Sequence, residues 1–220
     1  MTTRTGFEQE MALLKSDLLE MGQLVEEAFE KLLIVFKSKD FEVAEAIVKG
    51  DRKINDIEHA IEARCLAIML RQQPVARDLR IISAALKVVT DMERIGDQAA
   101  DIAELLAGLR SENSSANAEE ITEMTLICKG MVGDSIKSFI DVDIEIAREV
   151  MIRDDRVDEL FKSVKLSIAE NIKGDIDSLD DNINILMIAK YLERIADHAV
   201  NICEWAEFYQ TGSVNSVRLI

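Results

Sequence analysis

Asp91–Glu104, DMERIGDQAADIAE, and Tyr191–Glu204, YLERIADHAVNICE, are one phrase written twice, 100 residues apart. Seven of the fourteen positions are identical: Glu, Arg, Ile, Asp, Ala, Ile and Glu. A repeat of this period predicts one structural unit used twice. The retained residues include an acidic row, Glu93-x-x-x-Asp97 in the first copy and Glu193-x-x-x-Asp197 in the second.

A second match extends the repeat. Ala44–Ile57, AEAIVKGDRKINDI, aligns with Ala147–Leu160, AREVMIRDDRVDEL, at an offset of 103, so that Asp51-x-x-x-Asn55 corresponds to Asp154-x-x-x-Asp158. The composition agrees with a helical unit. Hydrophobic residues make up 48% of the 220 residues, aromatics only 5%, and there is a single proline. The expected core is therefore aliphatic, with nine methionines as adaptable filler.

Apolar periodicity and end signals predict six long helices in an all-α fold of two tandem, pseudo-symmetric three-helix bundles. The first bundle spans residues 1–110, with helices over 7–36, 41–71 and 75–109. Asp40 is read as the cap of the second helix, and Pro74 as fitting the first turn of the third. The polar stretch Arg110–Asn117, RSENSSAN, reads as a linker. The second bundle spans 118–220, with helices over 118–139, 143–172 and 177–209 and a frayed tail from Thr211. Short loops predict antiparallel neighbours.

Net charge of −16 argues against a nucleic-acid partner and against adsorption to anionic lipid. No apolar run approaches the length of a membrane span, and the opening MTTRTGFEQEMALLK lacks a signal-peptide apolar region, so a cytoplasmic protein without membrane insertion is expected. Cys65, Cys128 and Cys203 read as buried thiols rather than a disulfide framework.

On a helical wheel Glu93, Asp97, Asp101 and Glu104 fall at about 0°, 40°, 80° and 20°, nearly opposite an apolar face at about 180–260°. Asp51, Asn55, Glu58 and Glu62 form a matching oxygen-rich stripe on the second helix. In the second unit the row is Glu193, Asp197, Asn201 and Glu204, faced by Asp154 and Asp158. Such stripes are commonly solvated surface. Yet no basic residue interrupts them, although like charges at this spacing repel by roughly 0.2–0.5 kcal/mol per pair. Carboxylates in rows suit oxygen-preferring cations. Arg94 and Arg194 lie about 100° off the rows, placed to orient carboxylates or to form surface pairs. His59 and His198 lack the Glu-x-x-His spacing of a di-iron bundle, and two histidines are too few for a His-rich zinc site. No nucleotide-binding loop or hydrolase elbow is present.

The runs Gly50-Asp51, Gln73-Pro74, Asp78-Leu79-Arg80 and Glu93-Arg94-Ile95-Gly96-Asp97, with Asp154-x-x-x-Asp158, Glu193-Arg194-Ile195-Ala196-Asp197 and Asn201-Ile202-Cys203-Glu204, resemble the PhoU family over about residues 8–210. The resemblance implies a cytoplasmic, commonly dimeric regulator without established catalysis. It would restrain phosphate uptake and the phosphate-starvation response by contacting the ATPase subunit of the phosphate ABC transporter and the PAS region of a sensor histidine kinase. Some members hold metal clusters on paired acidic motifs. Carried over, these are Asp51, Asn55, Glu93, Asp97 and Asp101 in the first unit and Asp154, Asp158, Glu193, Asp197 and Asn201 in the second. Fe, Zn, Mn, Mg and Ca all remain open as the metal. A metal-dependent phosphoester hydrolase and a purely structural scaffold are the alternatives.

Overall fold

The computed structural model describes residues 3–75, 77–109, 117–174, 179–214 and 217–218. Six helices dominate: α1 (Thr3–Ser38), α2 (Phe41–Gln72), α3 (Arg77–Gly108), α4 (Ala118–Asp141), α5 (Ile144–Gly174) and α6 (Leu179–Thr211). A two-residue antiparallel pairing, β1 (Ser213–Val214) with β2 (Val217–Arg218), occupies the tail that was expected to fray. The stretch 110–116, most of the expected linker, lies outside the described residues, as does 175–178.

The helix ends follow local chemistry. Asp40 Oδ1 accepts from the backbone N–H of Glu42 and Val43 at the start of α2. Asp143 does the same for Glu145 and Ile146 at the start of α5. Gln73 and Val142 close α2 and α4 in the left-handed conformation. Pro74 stands before α3, which opens at Arg77, rather than within its first turn. The left-handed Gln73 places the turn there and delays the helix.

The first three helices pack on one another, as do the last three. The most extensive contact, however, joins the two units through α3 and α6, with α1 against α4 beside it. One continuous aliphatic core results. It runs from Leu14, Met21 and Phe29 on α1, through Ile82, Met92 and Ile102 on α3, to Ile188, Leu192 and Ile202 on α6. All three cysteines are free and buried within it, and burial pushes the Cys65 and Cys203 thiols up to about 12. Among the described residues no helix is long and apolar enough to cross a membrane.

Gly96 sets the approach of α2 to α3. A Cβ there would lie 2.9 Å from Ile54 Cδ1 and 3.4 Å from Asp51 Oδ1. The second copy has Ala196, and the position equivalent to Ile54 is the smaller Val157, both fully buried. One methyl gained on one helix is thus matched by one methylene lost on the other, which keeps the volume of the two seams alike.

Candidate functional site

Asp101, Glu104 and Asp197 are exposed away from the core, as the wheel suggested, but Glu93 and Glu193 of the same rows are drawn in toward helix–helix seams. The buried residues of α3 cover an arc of about 140–340° from Glu93. The cause is that α3 packs against α1, α2 and α6 together. Glu93 is therefore only 14% exposed at the edge of that arc. Asp97 sits beside it, close enough to Asp51 and Glu58 of α2 to act on both.

Electrostatics records this proximity. Burial, then Asp97, pushes Glu93 up to about 7 from an ordinary 4.5. Asp51 is raised by burial, then by Asp97, with Asp101 adding to the effect and an Asn55 hydrogen bond opposing it. Asn55 Nδ2 donates to Asp51 Oδ2 at 3.3 Å. Glu58 is raised by burial and by Glu62. In the second unit, burial and then Asp197, Asp158, Asp155 and Glu193 push Asp154 up to about 6. Asp197 rises through burial and Glu193.

The structure thus brings Asp51, Asn55, Glu93 and Asp97 together, and separately Asp154, Asp158, Glu193 and Asp197. Three oxygens of the first group, Asp51 Oδ1, Asn55 Oδ1 and Glu93 Oε2, are buried and accept no hydrogen bond. Carboxylate and amide oxygens left unspent in a negative seam fit a hard cation. Among the described residues, no three His, Cys, Asp or Glu side chains already stand as a metal-binding group. The donors are present, but their convergence on one point is not.

The two rows are unequally neutralised. Arg94, 53% exposed, flanks the first, with Nε 3.4 Å from Glu93 and Nη1 3.5 Å from Asp97. Inside the second, Lys190 Nζ pairs closely with Glu193, and Lys162 Nζ lies 3.4 Å from Asp158. The first-unit counterpart of Lys190 is Thr90, whose hydroxyl is committed to the Leu86 carbonyl. His59 is exposed beside Glu58.

Asn201 and Asp101 belong to a different contact. Asn201 Nδ2 donates to Asp91 Oδ1 at 3.2 Å, and His198 Nδ1 lies 2.8 Å from the same oxygen. At the symmetry-related place Tyr191 bonds Asp101, whose negative charge, after burial, raises the tyrosine. Position 91 of one copy meets position 201 of the other, and 191 meets 101, so α3 and α6 run antiparallel about a pseudo-twofold axis. Asn201 is the residue that lets Asp91 face it without like-charge repulsion. Asp91, Tyr191 and Lys190 are neighbours of the rows that the single-helix reading missed. The differences between the two copies at these positions were the available signal.

Replacing Asn201 by Asp is expected to cost about 1 kcal/mol at pH 8 by setting two carboxylates together. Adding Asp91→Asn restores a carboxylate–amide pair with the roles exchanged. Urea unfolding of the single and double variants measures this, and simple additivity of the two losses would show that the residues are not coupled.

Comparison with known proteins places this architecture. The family model for the PhoU domain matches residues 18–106 and again 121–206. A phosphate-specific transport system accessory protein PhoU homolog of Clostridium acetobutylicum is 36% identical over 211 residues, 96% of each chain. The homolog of Streptococcus pneumoniae is 31% identical over 96% of this chain and 98% of its own. The crystal structure of PhoU from Pseudomonas aeruginosa superposes with a TM-score of 0.90 at 31% identity, covering 94% of this chain and all of the other. The phosphate transport system regulatory protein PhoU of S. pneumoniae gives 0.87 at 30% identity, covering 94% of this chain and 98% of the other.

Proposed function

This chain belongs to the PhoU family, and from that premise we propose that it is a cytoplasmic negative regulator of phosphate uptake and of the phosphate-starvation response. Its role is that of an adaptor rather than an enzyme. It contacts the ATPase subunit of the phosphate ABC transporter and the PAS region of a sensor histidine kinase, and it acts as a homodimer. The observation that carries this reading is the family match over both units. Its relatives are an accessory protein of a phosphate-specific transport system and a phosphate transport system regulatory protein.

Metal is part of the proposal. Asp51, Asn55, Glu93 and Asp97 would hold a cation in the first seam, and Asp154, Asp158, Glu193 and Asp197 in the second. The unpartnered buried oxygens of the first seam support it. A bound cation supplies positive charge that relieves carboxylate repulsion. The chain's own residues do the rest: Asp51 and Asn55 hold one another in place, and Arg94 steers Glu93 and Asp97. A phosphoester hydrolase would draw on the same carboxylates but has no further feature in its favour.

Binding of the purified full-length chain to the cognate transporter ATPase and to the cognate kinase tests the adaptor role. Saturable binding to at least one is expected. Failure to bind either, with and without added Mn²⁺, together with normal high-phosphate repression in a deletion strain, would overturn it.

A further inference from the structure

Where the two units meet, an apolar cavity of about 170 Å³ opens between the C-terminal ends of α1 and α3, the start of α4 and the early part of α6. Val35, Phe36, Leu106, Ile121, Ile185 and Ile188 supply most of its wall. This is the size class of a cavity that admits a benzene ring. Two polar residues interrupt the apolar lining: Lys39, which is exposed, and Asn117. Asn117, immediately before α4, is 1% exposed, yet neither its Oδ1 nor its Nδ2 has a hydrogen-bond partner. It also makes no side-chain capping bond to the helix it precedes.

A buried amide with both functions unmet is costly, and buried polar groups are nearly always paired. Trapped water is a poor remedy here, since a stable buried water wants two to four polar partners and, apart from Asn117 and the exposed Lys39, the lining is apolar. A molecule with an apolar body and an adjacent donor and acceptor would meet both needs. Its N–H would donate to Asn117 Oδ1 and its carbonyl would accept from Nδ2, closing a paired-amide ring.

We propose that the junction cavity is a binding site for a small, neutral, largely apolar molecule carrying a primary amide or lactam, with Asn117 as its recognition residue. The site is distinct from the acidic seams. Its occupancy acts at the contact between the two units, because α1 and α3 of one and α4 and α6 of the other all contribute wall.

The test is calorimetric or ligand-observed NMR titration of the full-length chain with benzamide and with acetophenone, which differ by the exchange of NH₂ for CH₃. Benzamide is expected to bind about ten- to a hundredfold more tightly, the ratio that one unmet buried hydrogen-bonding group sets. In Asn117→Leu, of similar volume, that preference disappears and the ligand-free protein melts at a higher temperature. Ile121→Phe, which fills the cavity without touching the amide, weakens both ligands and keeps the comparison open should Asn117→Leu fail to fold. Equal binding of the two probes, no saturable binding of either, or a benzamide preference that survives Asn117→Leu would each overturn the assignment.

Discussion

Adding millimolar Mn²⁺ to chelator-treated protein is expected to raise its melting temperature, chiefly through the first seam. A ligand at a hundredfold excess over its Kd stabilises the native state by about 2.7 kcal/mol. For a chain of this length that corresponds to roughly 5–10 °C. The first seam should dominate because Asp51 Oδ1 and Asn55 Oδ1 have no hydrogen-bond donor, and Glu93 Oε2 has only the half-exposed Arg94 Nε at 3.4 Å to give up. In the second seam a cation must compete with the Lys190 ammonium for Glu193 and with Lys162 for Asp158. The triple variant Asp51→Asn, Glu93→Gln, Asp97→Asn should therefore lose most of the shift. The equivalent Asp154→Asn, Glu193→Gln, Asp197→Asn variant should keep most of it. Differential scanning calorimetry with elemental analysis of the desalted protein reads both. Absence of any shift with Mn²⁺, Mg²⁺, Ca²⁺, Fe²⁺ or Zn²⁺ would remove the metal from the proposed function. A larger loss in the second-seam variant would reverse the ranking of the two sites.

The duplicated helical plan was legible in the sequence because burial preserves it. The Ile95/Ile195 and Ile102/Ile202 pairs are fully buried in both copies, and Asp40 caps α2 as its neighbours predict. The burial of Glu93 was not legible from one helix. A wheel assigns a single inside, whereas α3 is wrapped on three sides, which draws Glu93 into a seam. The partners of Asp91 and Tyr191 lie on the other unit, beyond any local periodicity. They are encoded instead in paired differences between copies: Asp91 with Asn201 against Tyr191 with Asp101, and Gly96 with Ile54 against Ala196 with Val157. Asn117 read as linker, since nothing in a polar stretch announces that one of its residues is buried.

Glu93→Gln is expected to stabilise the metal-free protein at pH 8 and to leave it nearly unchanged at pH 5. In the folded state Glu93 titrates near 7, against an ordinary 4.5. Between those values the native protein binds the proton that the unfolded chain has released. The site's stabilising contribution is thus present in full below about pH 4.5 and lost as the pH rises through 7. Above 7 the carboxylate is ionised, poorly solvated and beside Asp97, whereas glutamine is neutral throughout. Partial exposure of the seam and the linked titration of its neighbours reduce the gain at pH 8 to about 2 kcal/mol, or roughly 4–8 °C in melting temperature. At pH 5 glutamine and the protonated acid are close equivalents, so the two curves should meet. The comparison separates a charge effect from a packing effect. A gain of equal size at both pH values would mean that the side chain's shape, not its ionisation, strains the seam. A loss at pH 8 would mean that ionised Glu93 is already neutralised by Arg94. The same variant should respond less than the wild type to Mn²⁺, because repulsion that glutamine has removed is no longer available for a cation to relieve.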